Sequence, residues 1–218
     1  MDRLSDHRIA IVMLAAGEGR RMGKTSSPGA KLLLPLADGR PIVAHAVGNA
    51  LALGPSEFVI VIRPGASPEI ADAVDLGVHL TPSPSAIASI RYVTNPRHEE
   101  GMATSLAAGI SALGEETEAA LVMLGDMPYV APGIVERLLS AYARERKPIT
   151  IPLYGSAVGP PTLFARSVFP DLLYLQGEAG GRQLLSIYPD LTCQVPFREN
   201  ERPGDVDTAE DYERMRGT

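Results

Sequence analysis

Residues 8–14 read RIAIVML and run without a break into residues 15–31, AAGEGRRMGKTSSPGAK. The first stretch is continuously apolar and β-branched, the pattern of a strand buried on both faces of a sheet. The second is glycine-rich, basic and free of apolar periodicity. It reads as a long loop, and a long loop in a compact domain is usually functional or disordered. Glycines let backbone amides approach a phosphate without Cβ clashes. Arg20, Arg21 and Lys24 add charge that can neutralise a triphosphate. From the residues alone, a solvated basic loop is the plain alternative. A Rossmann dinucleotide turn fits less well: Gly17-x-Gly19 matches its start, but the third glycine falls at Gly23 and no helix begins promptly.

The alternation continues downstream. Residues 41–53 open with proline and place Ile42, Val43, Ala46, Val47, Ala50 and Leu51 at helical spacing, with Gly54-Pro55 as the stop. Residues 57–62 (EFVIVI) predict a second buried strand and 67–74 a short helix. Residues 77–89, with Pro82 and Pro84 among serines, read as a surface excursion before a strand at 90–93. A polar loop (95–101), a helix (102–113) and an apolar strand (119–124, AALVML) follow. Residues 132–146 predict an amphipathic helix and 149–153 a fifth strand. Beyond them come turn residues at 155–161, short helices around 166–174 and 180–188, a strand at 191–195, and a closing helix at 208–216 with Thr208 as N-cap. Strands alternating with helices predict a three-layer α/β/α sandwich on a mostly parallel sheet. Its ligand crevice would lie beyond the carboxyl ends of the strands.

Composition narrows the function classes. The 218 residues suit one domain, and no internal repeat or low-complexity linker separates two halves. The net charge of −6, with no Lys/Arg-rich run and no tryptophan, argues against a nucleic-acid partner, whose phosphates call for a basic face. No apolar run is long enough to span a membrane. The polar start lacks a signal-peptide core, and Cys193 is the single cysteine. Cytoplasmic residence without an intrachain disulfide is therefore expected. The four histidines show no metal-ligand spacing, and no Ser/His/Asp pattern is apparent.

Three further constellations carry chemistry. Leu124-Gly125-Asp126-Met127-Pro128 puts a carboxylate at the carboxyl end of a buried strand, where it can hold Mg²⁺ against phosphate oxygens or simply sit in a turn. Asp205-Val206-Asp207-Thr208 precedes a helix whose first turn holds Glu210 and Asp211, which is also ordinary capping chemistry. Asn95…Gly101-Met102…Ser105 opens a helix, and its polar residues could equally be turn and helix residues.

Taken in order, these segments resemble the MobA-like NTP transferases, most closely the molybdenum cofactor cytidylyltransferase (MocA) type. LAAGEGRRMG with Lys31 is similar to that family's signature, LGDMP to its metal motif, and DVDTAEDY to its DIDTPEDY motif. The resemblance runs from Leu14 to Tyr212, leaving only residues 77–89 unmatched. It implies the Rossmann-like nucleotide-diphospho-sugar transferase fold and a Mg²⁺-dependent transfer of a nucleoside monophosphate from an NTP to a phosphorylated acceptor. It implies that Leu14, Ala15, Ala16, Gly17, Gly19, Arg21, Gly23, Lys31, Asn95, Ser105 and Gly125 bind the nucleotide. Lys31, Arg21 and Asp126 would be catalytic, and Asp126 with Asp207 (Asp205 as second choice) would hold the metal. Lys24 competes with Lys31, because the family's lysine commonly follows a proline directly and here Pro28-Gly29-Ala30 precedes it.

Residues 159–164 and 172–185 are similar to the family's acceptor side, so Gly159, Gly180, Gly181 and Arg182 are assigned to acceptor binding. Pro160 stands where the family often has histidine, and Gly177-Glu178-Ala179-Gly180-Gly181-Arg182 replaces GDxGAR. Ala16 suggests CTP over GTP, since Leu-Ala-Ala-Gly tends to accompany cytidine in the family. The implied acceptor is molybdopterin or its molybdenum-loaded form, and the implied protein partner a molybdenum hydroxylase. The rival readings are a non-catalytic nucleotide- or pterin-binding accessory protein, an oxidoreductase, and a nucleotidyltransferase acting on another alcohol or sugar phosphate.

Overall fold

The structure, a computed structural model, describes residues 4–17, 30–66, 68–79 and 90–216. Its strands are β1 (Ile9–Leu14), β2 (Phe58–Ile62), β3 (Ile90–Thr94), β4 (Ala119–Leu124), β5 (Ile149–Tyr154), β6 (Ala157–Val158), β7 (Thr162–Ala165) and β8 (Thr192–Phe197). The helices are α1 (Ala30–Leu33), α2 (Ile42–Ala52), α3 (Pro68–His79), α4 (Met102–Ser111), α5 (Pro132–Glu145), α6 (Phe169–Leu173), α7 (Gln183–Ile187) and α8 (Ala209–Arg216).

One sheet runs in the order β3-β2-β1-β4-β7-β5-β6, with β8 paired to β5. β1 to β4 are mutually parallel, as are β5 and β8. β7 lies antiparallel between β4 and β5, and β6 is antiparallel to β5. β1 and β4 are buried along almost their whole length, which is why they read as unbroken apolar runs. On one face Ile11, Met13, Phe58, Ile60, Leu121 and Met123 pack under α2, α3 and α5. On the other, Val12, Val59, Val61, Ala120 and Val122 pack under α4, α6 and α7. The alternation puts neighbouring residues on opposite faces, giving the expected α/β/α sandwich. Each fully buried Ile, Met or Val there contributes roughly 1.5–3 kcal/mol. α8 closes one end, Met215 packing with Leu36, Ile42 and Val206.

Four expectations need correction. The helix foreseen at 67–74 runs to His79, so Gly77 is helical and not the start of an excursion. A Cβ on Gly77 would lie 2.5 Å from the Ala44 carbonyl oxygen, so this glycine serves close α2–α3 packing. The remainder of the excursion, 80–89, lies outside the described residues. β7 was not foreseen, because a threonine and three apolar residues after two prolines show neither length nor alternation. The loop expected through residue 31 ends earlier, and Lys31 sits in α1. Within 95–101, His98–Glu100 form a 3-10 turn. Among the described residues no helix is long and apolar enough to cross a membrane.

Candidate active site

β1 and β4 end in register, Leu14 opposite Leu124. The Gly125 N–H donates to the Leu14 carbonyl (3.0 Å) and the Ala15 N–H to that of Val61 (2.9 Å). A Cβ on Gly125 would sit 3.3 Å from the Ala15 Cβ, so a glycine lets the two loops leave the sheet side by side. Asp126 follows immediately. The third segment is tied to it: the Val206 N–H donates to the Asp126 carbonyl (3.2 Å), and the Val206 side chain is fully buried. Asp205 and Asp207 thus flank an anchored residue. Behind them, Thr208 caps α8. The Asp211 N–H donates to Thr208 Oγ1 (3.1 Å), and the Thr208 N–H donates back to Asp211 Oδ2 (2.9 Å). This reciprocal capping box fixes the backbone just past Asp207.

Lys31 joins the three segments. Its Nζ donates to Asp126 Oδ2 at 2.6 Å and to Asp207 Oδ1 at 3.4 Å. The Lys31 and Asp126 side chains are 11% and 20% exposed, so this is a mostly desolvated pair. Burial pushes the Asp126 carboxyl above the ordinary carboxylate range; Lys31 pulls it back down, while Asp207 and Asp205 push it further up. Lys31 reaches Asp207 and makes no such bond to Asp205.

Asp126 Oδ1 is buried and has no hydrogen-bond partner. A buried acceptor left unpaired costs roughly 1–3 kcal/mol, and a cation would satisfy it. No group of three or more His, Cys, Asp or Glu able to hold a metal occurs among the described residues. The donor set still fits Mg²⁺, which commonly takes one or two carboxylates and completes its shell with water and substrate phosphate. Asp126 and Asp207 are the residues able to hold it.

A cavity of about 500 Å³ opens over this cluster. It is lined by Leu14, Ala15, Ala16, Gly17, Lys31, Leu32, His98, Glu99, Met102, Ser105, Leu124, Asp126, Glu178 and Asp207. Most of the nucleotide residues named from the sequence therefore converge here. Gly19, Arg20, Arg21, Gly23 and Lys24 lie outside the described residues. Gly125 and Asn95 lie behind the wall. Asn95 is 2% exposed; its Nδ2 donates to Thr104 Oγ1 (2.9 Å) and Ser105 Oγ (3.0 Å), and its Oδ1 accepts the Arg97 N–H (2.9 Å).

On the acceptor side, Gly159 packs on the Tyr154 ring, Gly180 against Met102 and Gly181 under Phe164. Arg182 is exposed. None of these four lines the cavity, whereas their neighbour Glu178 does. Glu178 is held there because Gly177 accepts the Ala103 N–H (3.0 Å) and abuts Gly101. Sequence reasoning missed His98 and Glu99 as cavity residues; their place after a parallel strand was the available signal.

The protein-family model "MobA-like NTP transferase domain" matches residues 11–193. Among curated proteins, the "Bifunctional protein GlmU" of Halorhodospira halophila is 32% identical over 163 residues, covering 75% of this chain and 29% of that protein. The chain spans less than a third of the length of the curated relatives it matches. Among solved structures, the homologue of Mycobacterium tuberculosis Rv0371c from Mycobacterium sp. strain JC1 superposes with a TM-score of 0.76. It is 26% identical, and the match covers 96% of both chains. Molybdopterin-guanine dinucleotide biosynthesis protein A of Archaeoglobus fulgidus has the same fold, with a TM-score of 0.63, 17% identity, and 95% and 97% coverage of the two chains. By the extent of the family match and the agreement in fold, this chain belongs to the MobA-like NTP transferase domain family.

Proposed function

We propose that the chain is a Mg²⁺-dependent nucleotidyltransferase that moves a nucleoside monophosphate from an NTP, with CTP favoured, to a phosphorylated acceptor and releases pyrophosphate. The favoured acceptor is molybdopterin or its molybdenum-loaded form. The observation that carries this reading is the Lys31–Asp126–Asp207 cluster at the carboxyl ends of β1 and β4, with Asp126 Oδ1 buried and unbonded.

In the proposed reaction an acceptor phosphate oxygen attacks the α-phosphorus in line, and the bond to pyrophosphate breaks with its electron pair leaving on oxygen. Such transfers need positioning and charge stabilisation more than covalent chemistry, which suits a site built from a lysine, carboxylates and loop amides. Lys31, largely withdrawn from water, would stabilise developing negative charge more strongly than an exposed lysine. Arg21 and the backbone of Gly17, Gly19 and Gly23 would cradle the triphosphate. Mg²⁺ held by Asp126 and Asp207 would supply Lewis-acid neutralisation of the phosphates.

CTP is favoured because the Leu14-Ala15-Ala16-Gly17 run is similar to the form that tends to accompany cytidine in the family; Ala16 lines the cavity. The pterin acceptor draws support from the family and from the name of the Archaeoglobus neighbour. Another alcohol or sugar phosphate is the second acceptor class. Support for it is the departure from the family's acceptor pattern at Pro160 and residues 177–182, with Glu178 lining the cavity. A side-by-side titration of CTP and GTP tests the base, and a clear GTP preference overturns it. Turnover with an acceptor panel separates the two acceptor classes.

A further inference from the structure

We infer that Asn95 is a positioning residue that sets the hydrogen-bond polarity of Ser105, so that Ser105 meets the bound nucleotide as a donor. The inference rests on the nucleotide reading above. A backbone N–H can only donate, and that of Arg97 lies 2.9 Å from Asn95 Oδ1. This fixes which end of the amide is the carbonyl, an assignment that shape alone leaves ambiguous. The amide nitrogen therefore faces Thr104 Oγ1 and Ser105 Oγ, at 2.9 and 3.0 Å, and spends its two protons on them. Both hydroxyls must accept.

Each hydroxyl then has one proton left to give. Thr104 has backbone acceptors for its own, the carbonyls of Arg97 (2.8 Å) and Gly101 (2.9 Å). Ser105 has no such protein acceptor within reach among the described residues, and it lines the cavity. Accepting a bond from the amide also polarises its O–H. The proton Ser105 has left calls for an acceptor on the ligand: a nucleobase carbonyl or ring nitrogen, a ribose oxygen, or a phosphate oxygen.

Asn95→Asp keeps the side-chain shape and reverses the polarity. A carboxylate only accepts, and the Arg97 N–H with the two hydroxyls would supply three donors that keep it ionised. The Ser105 proton would then turn to the carboxylate and leave only lone pairs toward the ligand. The test is calorimetric binding of CTP and of tripolyphosphate, each with Mg²⁺, to the wild type, Ser105→Ala, Asn95→Asp and the double variant, with melting temperature as the control for folding. Ser105→Ala is expected to weaken CTP binding about tenfold. Asn95→Asp should cost about tenfold more when Ser105 is present than in the Ser105→Ala background. Simple charge repulsion is common to both backgrounds and cancels in the cycle.

Equal losses in the two backgrounds would overturn the positioning role, since a merely structural Asn95 acts whether or not a hydroxyl is present. Unchanged CTP binding in Ser105→Ala would overturn the donor role even if Asn95→Asp does not fold. A loss confined to CTP places the acceptor atom on the nucleoside, and a loss shared with tripolyphosphate places it on phosphate; both support the donor role. Binding of neither ligand by the wild type would remove the nucleotide reading, and this inference with it.

Discussion

Lys31 Nζ lies 2.6 Å from Asp126 Oδ2, joining residues 95 positions apart in the chain. One sits in the short α1 after the glycine-rich stretch, the other in the turn after β4. Side-by-side parallel strands bring both to the same end of the sheet, and Asp207 reaches the same ammonium from a third segment. The contact couples stability to chemistry, because the ammonium proposed to act on phosphate also neutralises the carboxylate proposed to hold metal.

Lys31→Met should therefore act twice. The Asp126 carboxyl loses its cation in a mostly desolvated position, and removing one partner of a fully buried pair costs about 3–5 kcal/mol. Partial exposure reduces this, and roughly 2 kcal/mol is expected by denaturant unfolding. Turnover should fall at least about 100-fold, the scale of losing one transition-state donor. Wild-type turnover in the variant would transfer the role elsewhere, with Lys24 the first candidate.

Asp126→Asn separates the two effects. The amide fills the same volume, its oxygen can still accept from Lys31, and Lys31 keeps Asp207, so the loss of stability should be smaller than that of Lys31→Met. Turnover should drop about 1,000-fold or more, since a neutral amide is a poor Mg²⁺ ligand. Unchanged turnover would remove Asp126 from the mechanism.

The parts of the site readable in the sequence are those whose chemistry is local. The β1 run ending at Leu14 reads as a strand from residue type alone, while the Gly125-Asp126 turn and the Asp205–Thr208 segment stood out as site segments through the family resemblance; the structure brings Leu14, Asp126 and Asp207 to one cavity. Other parts were hidden because they depend on contacts distant in sequence. Glu178 reaches the cavity only because Gly177 is bonded to Ala103. β7 is a strand only because a slot exists between β4 and β5. Gly77 read as a breaker because the neighbouring α2 that demands a glycine cannot be seen from its own flanks. Asn95 and Ser105 were singled out by resemblance, but the direction of their hydrogen bond required coordinates.

Gly101→Ala tests the joint between the nucleotide and acceptor sides. Gly101 has φ +112°, and a Cβ there would lie 2.5 Å from the Gly177 carbonyl carbon. Backbone strain and the clash together should cost about 3 kcal/mol. Displacement of residues 177–178 should raise the KM for the acceptor more than that for the NTP. Equal effects on both constants would show that this contact serves the fold alone.

The capping box behind Asp207 offers a milder perturbation. Thr208→Ala removes the acceptor for the Asp211 N–H and should destabilise by about 1 kcal/mol. Because Asp207 precedes the cap directly, the Mg²⁺ concentration giving half-maximal turnover should rise several-fold while turnover at saturating Mg²⁺ changes little. An unchanged Mg²⁺ dependence would argue against Asp207 as a metal ligand.

The central claim is nucleotidyl transfer, and pyrophosphate release tests it most directly. The purified protein is supplied with Mg²⁺ and each NTP in turn, with and without molybdopterin, and pyrophosphate is followed over time. The account predicts release that requires an NTP, Mg²⁺ and a phosphorylated acceptor together, fastest with CTP and molybdopterin and lost on chelation. Tight CTP binding without release for any phosphorylated acceptor would contradict it and leave a nucleotide-binding protein that is not a transferase.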